Sequence, residues 1–451
     1  MFKKQFLVLT AAVMVLTMLL SACGAPATTA PAAPAAATSA PAAAATSAPA
    51  AGNVVTITMW HGFNAHEVDF LAGMIKKYWD PTHPNIKVIT EGNKSNQDIL
   101  TAMSGGDSPD LVMSGSSEAI TLWASQGAIM DLTPAIEPIK AQLQSEMVPA
   151  GLEWVMFNGK YYGLPFVNYN WGLFYNKDLF TAAGLDPNSP PKTLDQLKEY
   201  AQKLTKVDAS GNITQLGWLP LNDTSRATNF ILSNGGHFYD PATLAPTFND
   251  PANIAAFQWD LDFQKIYGLD KVTAFTTGFN SGDNPFQLGK VAMYIDGCWN
   301  PEFFKLNAPN LHYGVAAIPY SDPKYANGGN LGTNPLAVPV ASKHQKEAIE
   351  FAIWLATSKD VAREFSSEIS NIPQITSELS TFTTDPDTKF FADMSTSPNQ
   401  IAWAPVPYSQ KYLDEMTSAI GDMYNKGVAP KDALDAAQQI VVTAAADYIK
   451  K

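Results

Sequence analysis

Cysteine is almost absent from this chain: 451 residues contain two, Cys23 and Cys298. A framework of disulfides is therefore excluded, and stability has to come from packing. Arginine is equally scarce, with Arg226 and Arg363 its only instances. Because the guanidinium fork is the preferred bidentate partner of phosphate and carboxylate, a pocket for an anionic ligand has little to draw on. Basic residues as a class are outnumbered, 29 against 42 acidic ones, for a formal net charge of −13. Nucleic acid and anionic lipid headgroups are poor partners for such a surface. No G-x-G, G-x-S-x-G or Walker A pattern occurs, so dinucleotide, serine-hydrolase and P-loop signatures are missing. His61, His66 and Glu67 lie close together, but neither HExxH nor a Cys/His spacing supports them as metal ligands, and no cofactor is expected. What is abundant is aromatic: 10 Trp, 16 Tyr and 23 Phe, many beside Gly, Pro or Asn instead of inside apolar helical stripes.

The first fifty residues form a separate region. Lys3 and Lys4 precede an apolar run from Phe6 to Leu20. That fits a signal peptide and is short for a membrane span, which needs roughly 20 apolar residues. Leu20-Ser-Ala-Cys23 resembles the bacterial lipoprotein signal, which implies cleavage after residue 22 and a diacylglycerol on the Cys23 thiol; the alternative is an ordinary secretory signal with an incidental cysteine. Lipidation would leave Cys298 alone, with no internal disulfide. Gly24 to Gly52 contain only Ala, Pro, Thr, Ser and Gly. Such a segment cannot bury enough apolar surface to offset the entropy of ordering, so residues 23–52 are expected to be a disordered tether. At about 3.1 Å per residue in polyproline-like form it would reach roughly 90 Å.

From Asn53 onwards about 400 residues remain, comfortable for two lobes. Val54 to Trp60 alternates like a strand and breaks at His61-Gly-Phe-Asn64. A helix over Glu67 to Tyr78, a strand over Asn85 to Thr90, a helix over Gln97 to Met103 and a strand over Asp110 to Met113 follow. Alternating strands and helices predict an α/β domain with a largely parallel sheet, and ligands gather where its loops leave the strand ends. Trp60 to Asn64 and Ser114 to Ser117 are therefore a candidate mouth. Further helices are expected over Leu194 to Thr205, capped by Thr193, and over Ala252 to Tyr267, Ser342 to Ser358 and Lys431 to Ile449. Strands at Val291 to Ile295 and Tyr313 to Ile318 continue the pattern.

Five blocks in order resemble the extracellular solute-binding proteins of family 1, the maltose-binding-like receptors of ABC importers. They are Ile57-Thr-Met-Trp-His-Gly62; Ser108-Pro-Asp-Leu-Val112 with Ala124-Ser-Gln-Gly-Ala-Ile-Met-Asp-Leu-Thr133; and Tyr162-Gly-Leu-Pro165 ahead of Phe174-Tyr-Asn-Lys-Asp-Leu-Phe180 and Ala183-Gly-Leu-Asp186. Leu288-Gly-Lys-Val-Ala-Met293 before Gly297-Cys-Trp299, and Gly314 to Pro319, complete the series. The resemblance implies two α/β lobes of periplasmic-binding-protein type, joined by a hinge around a ligand cleft. Lobe 1 would comprise 53–167 plus 334–372, and lobe 2 would comprise 168–333 plus 373–451. It also implies a monomeric receptor outside the cell membrane, partnered by permease subunits and by lipid through Cys23.

The resemblance nominates Trp299, which follows the Ala-Met strand, to stack on a sugar ring. Tyr169, four residues beyond Pro165, stands where that subfamily has a charged ligand contact, so ligand identity does not carry over. Alternation puts Tyr169 and Trp171 on one face, either cleft or core. From the residues themselves, His61, Phe63 and Asn64 lie at the expected mouth, and Ser114, Ser116, Ser117 and Glu118 offer small polar groups for hydroxyls. Trp218, Asn222 and Asp223 either line the cleft or, for Asp223, cap a helix. Gly329 precedes a crossover, where it either lets backbone approach a ligand or makes a plain turn. The resemblance also nominates Trp403 and Tyr408, among prolines before the last helices, as a further aromatic wall. A neutral sugar or oligosaccharide is the expected ligand, with a glycerol phosphate ester as the rival. A glycoside hydrolase would instead need two carboxylates across the cleft, for which Asp223, Asp296 and Glu302 are the candidates.

Overall fold

The computed structural model describes residues 54–64, 66–280 and 282–449; the signal segment, the tether and the proposed lipidation site at Cys23 lie outside the described residues. Nine strands build the two sheets that matter here: β1 (Val55–His61), β2 (Ile86–Glu91), β3 (Leu111–Met113), β4 (Leu164–Tyr169), β5 (Trp171–Asn176), β6 (Met293–Gly297), β7 (Tyr313–Ala316), β8 (Gly332–Ala337) and β9 (Ile372–Pro373). The larger sheet runs β9-β4-β8-β3-β1-β2, and the smaller β6-β5-β7.

The expected parallel sheet is only half present. β1 pairs in parallel with β2 and β3, whereas β8 runs antiparallel to both β3 and β4, and β9 runs antiparallel to β4. Parallel neighbours need a crossover that returns the chain to the same end of the sheet. The segment β8 instead comes back from the other sheet and enters from the opposite end, and β9, reached from β8 through helices Gln345–Thr357 and Lys359–Glu368, runs in the same direction as β8. The smaller sheet is wholly antiparallel.

Each sheet is covered on both faces. In β1 the buried positions alternate, Ile57, Met59 and His61 facing inward. They meet helices His66–Met74, Gln345–Thr357 and Lys359–Glu368 in one core, through Leu71, Phe351, Leu355 and Phe365. The opposite face, around Val112, is covered by Ile99 and Met103 of helix Asn96–Gly105 and by Ile120 and Trp123. In β5 the same alternation sends Leu173 and Tyr175 into a core with helices Thr224–Leu232, Pro251–Lys265 and Ser409–Lys426. Phe174 goes to the other side, against Tyr294, Phe304 and Phe391.

Local signals behave as their chemistry dictates. Thr193 caps helix Leu194–Leu204 by accepting from the Gln196 N–H, and Leu197, Ala201 and Leu204 form its buried stripe. Helix His66–Met74 passes into a π-turn over Ile75–Trp79 before Pro81 closes it.

The chain passes from the larger sheet to the smaller at Asn170, between β4 and β5. It returns at Leu331, whose carbonyl accepts from Trp154 Nε1 at 2.8 Å. It leaves again after β9. Within the second lobe, Asp260 is fully buried and accepts from Trp218 Nε1 at 2.7 Å, the Leu221 N–H at 3.1 Å, Gln264 Nε2 at 3.3 Å and the Tyr424 hydroxyl. Removing that carboxylate strands several donors in a dry core. Asp260→Ala is therefore expected to lower stability by about 3 kcal/mol or more, read as a fall in the urea midpoint; an unchanged midpoint would contradict this role.

Candidate functional site

Between the sheets lies a cavity of about 460 Å³ lined from both sides. The larger-sheet lobe contributes Phe63 and Asn64 from the loop after β1, Ser116 and Glu118 from the loop after β3, Tyr169 at the end of β4 and Asn334 of β8. The smaller-sheet lobe contributes Trp171 at the start of β5, Trp299 after β6 and the first turns of helix Thr224–Leu232. Trp403 reaches in from the segment preceding helix Ser409–Lys426. Another recess, of about 360 Å³, lies behind helix Asn300–Asn307 among Glu302, Lys305, Ser367 and Asp385. None of the nominated ligand contacts lines it.

The aromatic wall is built by close approach. Trp299 meets Trp171 edge-on with centroids 5.1 Å apart and Tyr169 at 6.1 Å. Its indole lies flat on Gly297, where an added Cβ would come within 2.1 Å of the ring. The Tyr169 ring likewise covers Gly332, where a Cβ would approach to 2.3 Å. Any larger residue at either position would displace the ring above it. Burial, and then the nearby Glu118 carboxylate, hold the Tyr169 phenol well above its ordinary pKa. It stays a neutral hydroxyl, 3.4 Å from Ser117 Oγ.

The polar groups are positioned by the loops that carry them. Asn96, in the first turn of its helix, organises the loop after β3: its Oδ1 accepts from Ser114 Oγ at 2.8 Å and the Gly115 N–H at 3.2 Å, and its Nδ2 donates to Ser116 Oγ at 2.9 Å. Glu118 Oε1 accepts from Trp403 Nε1 at 2.9 Å, joining the two lobes, while Glu118 Oε2 has no partner. Ser409 Oγ donates to the Glu118 carbonyl at 3.2 Å and Thr121 Oγ1 to that of Val406 at 2.9 Å. Asn330, also in the lining, donates its N–H to Asn229 Oδ1 at 2.8 Å and leaves its own Oδ1 unpartnered. The charged lining residues are Glu67 and Glu118; no Lys, Arg or His is among them. Burial raises the Glu67 pKa, opposed by the Asn64 N–H that donates to it at 3.0 Å.

Of the nominated residues, Trp299, Tyr169, Asn64, Ser116 and Trp403 come together around this cavity. The others lie elsewhere. His61 continues the inward alternation of Ile57 and Met59, so it is fully buried behind the mouth and neither ring nitrogen has a partner. Ser114 is buried and bonded to Asn96, and Ser117 bridges the backbone N–H and carbonyl of Thr333 at 2.8 Å each, supporting Tyr169 from behind. Trp218 belongs to the second lobe's core, held by Asp260. Asp223 caps helix Thr224–Leu232 through the Ser225 and Arg226 N–H groups, both at 3.0 Å. Gly329 is buried beside the Asn229 and Gln400 side chains, one residue short of the lining position at Asn330. None of Asp223, Asp296 and Glu302 lines the cavity. Among the described residues no group of three His, Cys, Asp or Glu side chains is arranged to hold a metal.

Sequence reasoning passed over Thr228 and Asn229 on helix Thr224–Leu232, Phe303, Asn330 and Asn334. The helix pair carries a visible signal, polar residues at helical spacing just beyond a capping Asp. The two asparagines of the returning chain, Asn330 and Asn334, carry none.

His61 also sets a pH dependence. Burial lowers its pKa to about 4, below the value of about 6.5 in an unfolded chain. The unfolded state therefore takes up the proton first: the stabilising contribution is complete above pH 6.5 and is lost as pH falls towards 4. Relative to His61→Leu, the parent is expected to lose roughly 3 kcal/mol of unfolding free energy between pH 7 and pH 4. Parallel pH–stability curves for the two proteins would refute this.

A family described as "Bacterial extracellular solute-binding protein" matches residues 64–362. A maltotriose-binding protein of Pyrococcus abyssi is 24% identical over 340 residues, covering 74% of this chain and 68% of its own. A galactooligosaccharide-binding protein of Bacillus subtilis is 29% identical over 295 residues, covering 63% of this chain and 64% of its own. Among solved structures, CpMnBP1 with mannotriose bound superposes with a TM-score of 0.75 at 28% identity, covering 86% of this chain and 100% of that one.

Proposed function

The chain belongs to the bacterial extracellular solute-binding protein family, and from that premise we propose that it is the receptor of an ABC importer, taking a neutral sugar or oligosaccharide in the interlobe cavity. The observation that carries this is the character of the lining: Tyr169, Trp171, Trp299 and Trp403 supply aromatic faces, while Glu118 Oε2 and Asn330 Oδ1 are acceptors without donors. A pyranose ring offers C–H faces to the first and hydroxyl donors to the second. An anionic ligand would meet two carboxylates and no cation, which weighs against a glycerol phosphate ester. Relatives named for maltotriose and galactooligosaccharide, and a solved structure with mannotriose bound, support the sugar, while one relative is named for sn-glycerol-3-phosphate.

Closure follows from the same geometry. A ligand touching Glu118 and Asn64 on one lobe and Trp171 and Trp299 on the other favours the closed arrangement by the extra affinity it has for that state, and by no more. The three strand passages between sheets are the proposed hinge, near Asn170, Leu331 and the end of β9. Binding of this kind asks for no bond making, and the carboxylates weighed for glycoside cleavage stand outside the lining.

The receptor is proposed to act as a monomer at the outer face of the membrane, lipid-anchored through Cys23 and tethered near its permease. Tethering replaces a diffusing pool by a high local concentration. Mass spectrometry of the mature protein is expected to show an amino terminus at Cys23 carrying a diacylglycerol; an unmodified Cys23 would refute the anchor.

Calorimetry of the soluble domain against sugars, polyols and glycerol phosphates tests the ligand class. Heat of binding is expected from sugars, and Trp299→Ala should weaken affinity about tenfold or more. If only phosphate esters bound, the sugar assignment would fail; turnover of a glycoside would point to an enzyme.

A further inference from the structure

We propose that the helix Asn300–Asn307 carries a second stacking platform, Phe303, at the mouth of the cavity, and that the spacing of Trp299 and Phe303 selects ligands by chain length. The inference rests on the sugar assignment above and deepens it: the ligand would be an oligosaccharide with at least one ring outside the enclosed cavity.

Four observations support it. Phe303 lines the cavity yet is 46% exposed, whereas Trp299 is half-buried. The two residues are four apart, with the Phe303 N–H donating to the Trp299 carbonyl, so they share a helix face. The helix advances about 6 Å between them, comparable to the advance of one ring along a glycosidic chain. Finally, Phe303 is dispensable for packing. Its neighbour Phe304 is 1% exposed and fills the core against Phe174 at 5.6 Å, while Phe303 belongs to none of the core clusters and pairs with no aromatic ring among the described residues.

Half-buried Leu413 of helix Ser409–Lys426 is a further apolar residue of the same lining. Leu306, one turn further along and 58% exposed, extends the apolar edge away from the cavity. The patch is thus continuous with the ligand site at one end. That continuity singles out an extended ligand as its occupant.

The test is a chain-length series. Affinities of the full chain for mannooligosaccharides and maltooligosaccharides of two to five rings are measured for the parent, Phe303→Ala, Phe303→Leu and Phe303→Tyr. Affinity should rise with length in the parent. Phe303→Ala and Phe303→Leu should remove that rise, lowering affinity for the longest member relative to the shortest by about tenfold, and Phe303→Tyr should retain it. A parent whose affinity is independent of length, an Ala variant that weakens all lengths equally, or a Leu variant that behaves as the parent would each overturn the proposal. Unchanged affinities with a loss of permease ATPase stimulation would overturn it too, and would assign the patch to the permease. Absence of binding by every sugar would instead sink the broader assignment, while binding with an unaltered length profile would leave that assignment standing.

Discussion

The site depends on one constraint, the passage of a single extended segment from one sheet into the other. β4 ends at Tyr169 and β5 begins at Trp171, with only Asn170 between them. Because side chains alternate along extended chain, Tyr169 and Trp171 emerge on the same side and both face the cavity. Each pairs across its sheet with a glycine, Tyr169 with Gly332 and Trp171 with Gly297. The bare glycine positions are what admit the Tyr169 and Trp299 rings. Asn170 itself is buried, its Nδ2 donating to the Phe391 carbonyl at 3.0 Å and its carbonyl accepting from the Cys298 N–H at 3.0 Å. The passage is therefore pinned by the smaller lobe while its two aromatic neighbours are left facing the ligand.

Positive charge is kept out of the lining that holds this wall. Arg363 is held between Asp360 and Glu378, the latter at 3.1 Å, and does not line the cavity. Arg226, one turn into the helix that lines the cavity, donates to Asn222 Oδ1 at 3.2 Å. Asp296, at the end of the strand that leads to Trp299, has its pKa raised to about 6, burial outweighing its own Gly297 N–H and the field of Arg226. The cavity keeps carboxylate and amide acceptors and lacks cations, a combination suited to hydroxyl donors and hostile to anions. An acidic surface with few arginines, visible from composition alone, has its local counterpart in the lining.

Much of the scaffold was legible because it rests on local regularities. Period-two alternation in Val55–His61, the capping threonine before Leu194 and the proline after Trp79 act within a few residues and survive folding. The same rule could have corrected one assignment: His61 shares the face of Ile57 and Met59, and burial follows from that parity. Trp218 and Asp223 illustrate the opposite case. A tryptophan near a polar turn suits a cleft or a core equally, and its fate was decided by Asp260, 42 residues away.

By itself, then, the sequence determined the class of elements, the two-lobed α/β plan and the chemical character of the ligand to expect, since composition, period and family blocks are properties of the chain read in order. It also marked Tyr169, Trp171, Trp299 and Trp403 as aromatic candidates. Only the tertiary structure decided which polar groups join them. Asn330 and Asn334 reach the cavity because the returning chain at Leu331 lays β8 beside β4, more than 150 residues earlier in the chain. Glu118 is held there by an indole 285 residues away. Antiparallel entry of β8 and β9 belongs to the same class of facts: it depends on which end of the sheet the chain comes back to, and no local pattern encodes that.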